Sequence, residues 1–271
     1  AAPRGRAVPA ARALAKRLRV DLGGLRGSGR DGLITLDDVL SSMREPPATP
    51  AAAGTPAGGE ARFQPLRGAR RSMAQSMSLA RDQTALSTVC DDADIDDWVD
   101  AGAYMSRLMR AMARACRAEP ALNAWYDPAD DSRALLPYID LGVAVDTPEG
   151  LLVPVIRDIA GRSARELDAE LAARKEAAHA RTIAAADLRG FTLILSNFGT
   201  LAGRYATPQV VPPAVAILGA GKVRREPAVV AGQLAVRRRM PLSLSFDHRC
   251  VTGGEACRFL AAVIADLQEP D

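Results

Sequence analysis

The chain has 271 residues, 48% of them apolar and 25% charged, with a net charge of +3. That is the composition of an ordinary globular protein with one large or two unequal domains, and it excludes disordered and fibrous classes. No apolar run reaches the ~18–20 residues of a membrane span and no secretory leader is visible, so neither a membrane nor a secreted protein is expected.

The charge is unevenly placed. Residues 1–44 hold nine Lys/Arg against four Asp, while the remainder is slightly acidic. A basic N-terminal module beside a near-neutral body predicts an acidic partner for that module. Nucleic acid fits the charge, but the segment has no aromatic residue for stacking and no binding motif, so none is expected. Cys90, Cys116, Cys250 and Cys257 form no Cys-x-x-Cys pair and no zinc-ligand spacing. They read as reduced thiols in a cytoplasmic protein, with no metal site. The chain starts Ala-Ala-Pro, as a fragment or a processed product does.

Residues 7–43 have the pattern of a small helical unit. Pro9 opens a first helix, with Leu14, Leu18 and the intervening alanines as its apolar face. Gly23-Gly24 and Gly27-Ser28-Gly29 mark turns. Thr35-x-x-Asp38 caps a second helix, Leu36–Met43, with Val39 and Leu40 inward. Arg12 and Lys16 lie one turn apart on one face, either a solvated face or a docking surface. Residues 44–62 are rich in Ala, Pro and Gly without an apolar period, which predicts a semi-extended, mobile linker.

The body, residues 63–271, mixes helices and strands. A helix around Arg70–Met77 carries Met73 and Met77 on one side. Thr84–Ala93 is strand-like and runs into an acidic turn, Asp91–Asp97. Tyr104–Glu119 is amphipathic, with Leu108, Met112 and Cys116 four apart and Pro120 as its stop. A strand starts at Ala121–Tyr126, and Asp127–Ser132 makes a turn. Residues 139–146 and 150–156 predict a hairpin around Thr147-Pro-Glu-Gly150. Ser163–Ala180 is a long charged helix in which His179 reads as solvated; Phe191–Ser196 and Ala214–Leu218 read as strands.

The most informative stretch is Met240–Leu260. Leu242, Leu244 and Phe246 alternate with Ser243, Ser245 and Asp247, the period of a half-buried strand. Gly253-Gly254 breaks the alternation, and a helical spacing follows from Ala256 to Leu267. His248 therefore sits in a loop between a strand and a helix, a common place for a catalytic side chain, although a hydrogen-bonded structural histidine fits the same position. Cys250, two residues on, has no visible activator and ranks low as a nucleophile.

Asp247-His248-Arg249-Cys250-Val251-Thr252-Gly253 resembles the Asp-His-Arg-x-x-Asp-Gly signature of the dihydrolipoamide acyltransferases, the cores of the 2-oxoacid dehydrogenase complexes. Thr252 stands where the signature has an acid. Further similarities follow in order: Pro120-Ala-Leu-Asn123, Gly142-Val-Ala-Val-Asp-Thr-Pro-Glu-Gly-Leu-Leu-Val-Pro-Val155, Leu195-Ser-Asn-Phe-Gly199 and Ala216-Ile-Leu-Gly219. The run from Pro9 to Leu22 and that from Gly27 to Val39 resemble the peripheral subunit-binding domain of the same proteins, with Leu33 and Arg19 as departures.

The resemblance implies an α/β protein in three parts. These are a subunit-binding module (7–43), the linker (44–62) and a catalytic core of mixed sheet and flanking helices (63–271) similar in fold to chloramphenicol acetyltransferase. It implies acyl transfer from a dihydrolipoyl thioester to coenzyme A, acetyl before branched-chain acyl, within a pyruvate or branched-chain complex. A thiol of pKa ~8.5 needs a base near ~6.5, which makes His248 the general base. Ser196 matches the hydroxyl that stabilises the tetrahedral oxyanion; without the resemblance it reads as turn chemistry. The resemblance also implies that His248 and Ser196 meet across a subunit interface, and that Thr252 holds the loop without the usual charge. Arg71, Arg81 and Ser245 are the positions expected to bind coenzyme A, and Arg12 and Lys16 those expected to dock dihydrolipoamide dehydrogenase or the 2-oxoacid decarboxylase.

No lipoylation site is present, so lipoate is expected on an upstream or separate lipoyl domain. A homotrimer is expected, with the ending Glu269-Pro270-Asp271 placing the assembly nearer the trimer than a larger shell. The rival expectations are another acyltransferase on the same fold and a catalytically weakened scaffold that only docks partner enzymes.

Overall fold

The structure, a computed structural model, describes residues 6–18, 20–43, 63–99 and 104–270. It falls into two compact units, Ala1–Gln64 and Pro65–Asp271. The linker expected at residues 44–62 lies outside the described residues, as does Asp271.

In the first unit, α1 (Pro9–Leu18) and α2 (Leu36–Met43) close over a small core of Ala7, Ala11, Ala15, Ile34 and Val39. Alanine on the inner face lets the two elements approach closely. Leu14 packs at the rim of this core, and Leu40, expected inward, is instead exposed because one buried position per turn fills the space available. The expected cap is in place. Asp38 accepts hydrogen bonds from the backbone amides of Thr35 and Ser28, and the Thr35 hydroxyl receives the Asp38 amide. These backbone bonds hold the Asp38 carboxyl down at about 2. Gly27 is required by close approach, since a Cβ there would lie 2.4 Å from the Gly32 carbonyl oxygen.

The second unit is built on a sheet. After α3 (Gly68–Asp82), β1 (Leu86–Asp94) and α4 (Tyr104–Ala118) comes a small hairpin of β2 (Ala124–Asp127) and β3 (Ser132–Leu135). Next are β4 (Leu141–Val143), β5 (Val145–Thr147), β6 (Gly150–Leu152), β7 (Val155–Ile156) and α5 (Ala164–Ala180). The chain ends with β8 (Leu193–Asn197), β9 (Ala216–Ala220), β10 (Arg224–Val230), β11 (Gln233–Asp247) and α6 (Gly253–Leu267). The main sheet has the order β1-β11-β9-β8-β4-β7, with β10 paired to the first half of β11. The β8–β9 and β4–β8 pairs are parallel and the others antiparallel, so the expected mixed α/β class holds.

Two expected hairpin strands are each split. Val143 and Val145 belong to different sheets, as do Leu152 and Val155, because the β5–β6 tip turns away from the main sheet. The strand expected at Ala214–Leu218 begins and ends two residues later, as β9.

The end of β11 is a correction to the half-buried strand expected there. Lying between β1 and β9, it is buried on both faces: Leu242 and Leu244 are fully covered, and so are Ser243 and Ser245. The serines avoid a desolvation cost by bonding locally. Ser245 Oγ is 2.7 Å from Thr88 Oγ1, and Ser243 Oγ accepts the Ala206 amide at 3.2 Å. Both α4, with Leu108, Met112 and Cys116 inward as its spacing predicts, and α6 pack into the main core. The acidic run Asp91–Asp97 is half of an ion-pair lattice more than a free turn. Asp94 and Asp97 pair with Arg237, Asp96 with Arg238, and Asp92 with Arg204.

Candidate active site

His248 follows the last residue of β11 and is exposed, with its backbone amide donating to the Ala85 carbonyl at 2.9 Å. The residue before it, Asp247, is buried and accepts from the Arg249 guanidinium at 2.6–3.1 Å and from the amides of Arg249 and Ala85. Burial pushes the Asp247 carboxyl up, but the Arg249 bonds and the two amides outweigh it, so the group lies below its ordinary value and stays ionised. Arg249 also stacks on Tyr126 at 4.4 Å and reaches the Gln83 carbonyl. The His248 ring rests 5.5 Å from that of Phe246. The imidazole is thus presented on a loop fixed from beneath. Burial, and then the Asp247 charge, push the Cys250 thiol up to about 11, so it is no nucleophile at neutral pH.

Thr252 caps α6. Its hydroxyl receives the Glu255 amide at 3.2 Å, while the Glu255 carboxylate accepts the Thr252 amide at 2.7 Å. This capping box anchors the far side of the His248 loop.

Ser196 is near the C-terminal end of β8 and lines a cleft of about 630 Å³ with Asn197, Met105, Asp146, Lys175 and His179. It is not near His248 in the same chain. Ser196, Gly219 and Ser243 form one lateral row across β8, β9 and β11, and His248 lies five residues beyond Ser243. At strand geometry that is roughly 16 Å along the sheet and about 10 Å across it, so one small acyl group cannot touch both.

Arg71 and Arg81 are exposed on α3, Arg81 pairing with Asp82 at 2.8 Å. Ser245 is inside the sheet, bonded to Thr88 as above. In the first unit, Arg12 and Lys16 are exposed one turn apart on α1, and Arg12 Nε donates to the Ala7 carbonyl at 3.2 Å. His179 is exposed, as its sequence context predicts, and it lines the Ser196 cleft together with Lys175, which no sequence motif marks. Their four-residue spacing on a helix was the available signal.

Residues 58–271 match the family described as 2-oxoacid dehydrogenases acyltransferase (catalytic domain), and residues 5–40 match the e3 binding domain. The chain belongs to the 2-oxoacid dehydrogenase acyltransferase family. The lipoamide acyltransferase component of the branched-chain alpha-keto acid dehydrogenase complex of Pseudomonas aeruginosa is 32% identical over 97% of this chain and 66% of its own length. The dihydrolipoyllysine-residue succinyltransferase component of the 2-oxoglutarate dehydrogenase complex of Rickettsia bellii is 30% identical over 97% of this chain and 70% of its own. The chain thus spans about two thirds of these relatives. Among solved structures, the dihydrolipoamide acetyltransferase of Azotobacter vinelandii superposes with a TM-score of 0.77 at 30% identity, covering 83% of this chain and 97% of that one. That structure comes from work on the roles of a serine, a histidine and an asparagine in its catalytic mechanism. Acyltransferases of three different acyl groups are therefore about equally similar to this chain. No described helix is long and apolar enough to cross a membrane.

Proposed function

We propose that this chain transfers an acyl group from a dihydrolipoyl thioester to the thiol of coenzyme A, as the core of a 2-oxoacid dehydrogenase complex. The observation that carries the reading is the exposed His248 on a loop clamped by buried Asp247, with the Ser196 hydroxyl in a cleft at the far end of the same sheet. The serine, histidine and asparagine studied in the Azotobacter enzyme stand at the same intervals along their chain as Ser196, His248 and Thr252 do here. That match supports carrying the roles over, with a neutral residue at the last position in both.

His248 removes the proton from the coenzyme A thiol, and the sulfur attacks the thioester carbonyl. Ser196 donates its O–H to the tetrahedral oxyanion. Collapse expels the dihydrolipoyl sulfur, which takes the proton back from the imidazolium. The distance between His248 and Ser196 within one chain supports a site shared by two subunits, His248 from one and Ser196 from its neighbour, and hence a trimer or a larger shell of trimers. Asp247, Arg249 and Thr252 position the loop without touching substrate.

Residues 7–43 are read as the docking module, 44–62 as its tether and 63–271 as the transferase core. Arg12 and Lys16 would hold dihydrolipoamide dehydrogenase or the decarboxylase through acidic side chains, with lipoate arriving on an upstream or separate domain. Arg71 and Arg81 are candidates for coenzyme A phosphates; burial of Ser245 counts against it in that role. The four free cysteines fit the cytoplasm. Acetyl is taken first as acyl group and branched-chain acyl next.

The test is turnover of acetyl- and isobutyryl-dihydrolipoamide with coenzyme A by the trimeric chain and its His248→Ala variant. Turnover lost in the variant supports the reading, and the preferred donor names the complex. No turnover in the parent favours a scaffold that only docks partner enzymes.

A further inference from the structure

The Ser196 cleft has a second polar wall. Lys175 and His179 lie one turn apart on α5, and both line the cleft. Residues four apart share a helix face, so the two present one surface. Two nearby arginines are already engaged: Arg174 on α5 pairs with Glu170 and Asp187, and Arg181 at its C-cap pairs with Glu149 on the β5–β6 tip. The side chains of Lys175 and His179 have no hydrogen bond or ion pair to any described residue. Asp146 is the acid that lines the same space, and it pairs with neither. Met105, Leu151 and Leu201 add apolar surface to the lining of the same cleft.

The cleft therefore suits a ligand with an uncharged arm and an anionic end. At about 630 Å³ it falls in the range of small-molecule sites. An ammonium is a compact phosphate binder, and an imidazole has an N–H to donate in either protonation state. We infer that Lys175 and His179 are specificity-determining residues that bind a phosphate of coenzyme A while its neutral, thiol-bearing arm runs over the apolar lining towards Ser196. The ligand's identity rests on the acyl-transfer reading; the anion site rests on the cleft alone. A carboxylate at the end of a dicarboxylic acyl group is the other anion that reaches Ser196 in this chemistry.

The decisive comparison is between coenzyme A and pantetheine, which has the same thiol arm without the phosphates. Both are tested as acceptors, with acetyl- and succinyl-dihydrolipoamide as donors, using the full trimeric chain and its Lys175→Gln, His179→Gln, double and Lys175→Arg variants. Each glutamine variant should lower kcat/KM for coenzyme A about three- to tenfold, as loss of a charge-assisted hydrogen bond does, and lower it less for pantetheine. The double variant should lose more, and Lys175→Arg should recover most of the preference. A preference for coenzyme A over pantetheine that survives in the double variant overturns the proposal. A loss confined to the succinyl donor overturns the phosphate assignment and gives the anion site to the acyl carboxylate. Should the parent show no turnover, calorimetry with coenzyme A still decides: binding about tenfold weaker in the double variant supports the anion site, and equal binding overturns it.

Discussion

The carboxylate of Asp247, only 3% exposed, is gripped by Arg249 two residues away, with Nε–H and Nη2–H donating at 2.6–3.1 Å. His248 is the residue between them. The pair ties the start of the loop to its middle, and the stacking of Arg249 on Tyr126 ties both to the β2–β3 hairpin.

Removing the arginine leaves a buried carboxylate short of donors. Arg249→Ala should cost about 2 kcal/mol, less than a fully buried pair because the guanidinium is partly exposed. The sign with pH follows from the depressed carboxyl. Its contribution is full above the ordinary carboxylate pKa near ~4 and is lost as pH falls through the lower folded value. Denaturant titrations from pH 3 to 7 should show the parent losing stability towards acid more steeply than Arg249→Ala. Equal slopes would mean that the clamp does not set the ionisation of Asp247.

The separation of His248 from Ser196 makes a sharper prediction. His248→Ala should lower kcat by about 100-fold or more, and Ser196→Ala by about 100- to 1000-fold. Mixing the two inactive variants by co-refolding should restore activity, because a site between an Ser196→Ala subunit and a His248→Ala subunit can hold one intact histidine and one intact serine. Random assortment gives about a quarter of the sites that combination. Recovery towards that level supports a shared site, and none in verified mixed trimers would sink it.

Elements with a strong local signature were legible in the sequence. Thr35 and Asp38 named the start of α2, Ser163 that of α5 and Pro120 the end of α4, and the spacing of Leu108, Met112 and Cys116 gave the buried face of α4. What stayed hidden depends on long-range pairing. The β10–β11 hairpin over Arg224–Asp247 has a first half in which Leu234 and Val236 are exposed and Arg237–Arg239 pair with Asp94 at the end of β1 and Asp96 just beyond it. Ser243 and Ser245 looked like the wet face of a strand, but Phe198 and Pro208 lie over Gly219 beside Ser243, and the Ala206 amide bonds to the Ser243 hydroxyl. The motif singles out His248 and Ser196 by resemblance, but the placing of Lys175 and His179 on the same cleft as Ser196 depends on the packing of α5 against α4 and β5.

Asp38 makes the N-terminal unit acid-sensitive at one residue. Its carboxyl is held at about 2 by backbone amides of Thr35 and Ser28. Protonation removes those acceptors, so this contribution is full above ~4 and disappears as pH falls to about 2. Far-ultraviolet circular dichroism of a Ser28→Pro variant, which lacks one of the donating amides, should show helix loss in this unit beginning at higher pH than in the parent. Asp38→Ala should lose the cap at every pH, with the largest difference from the parent near neutrality.

Thr252 separates a structural account of the loop from a chemical one. Its hydroxyl completes the α6 capping box and has no other hydrogen-bond partner among the described residues. Thr252→Val keeps the shape and removes the hydroxyl, which should cost about 1 kcal/mol and lower Tm by about 2–4 °C. Thr252→Ser should restore it. Thr252→Asp also caps a helix well and returns the acid of the family signature, so it should be at least as active as the parent. If the residue acts only by holding the loop, kcat should follow capping ability across Val, Thr, Ser and Asp. An active valine variant with a lowered Tm would separate the cap from catalysis. A less active aspartate variant would mean that the neutral residue is itself required beside His248.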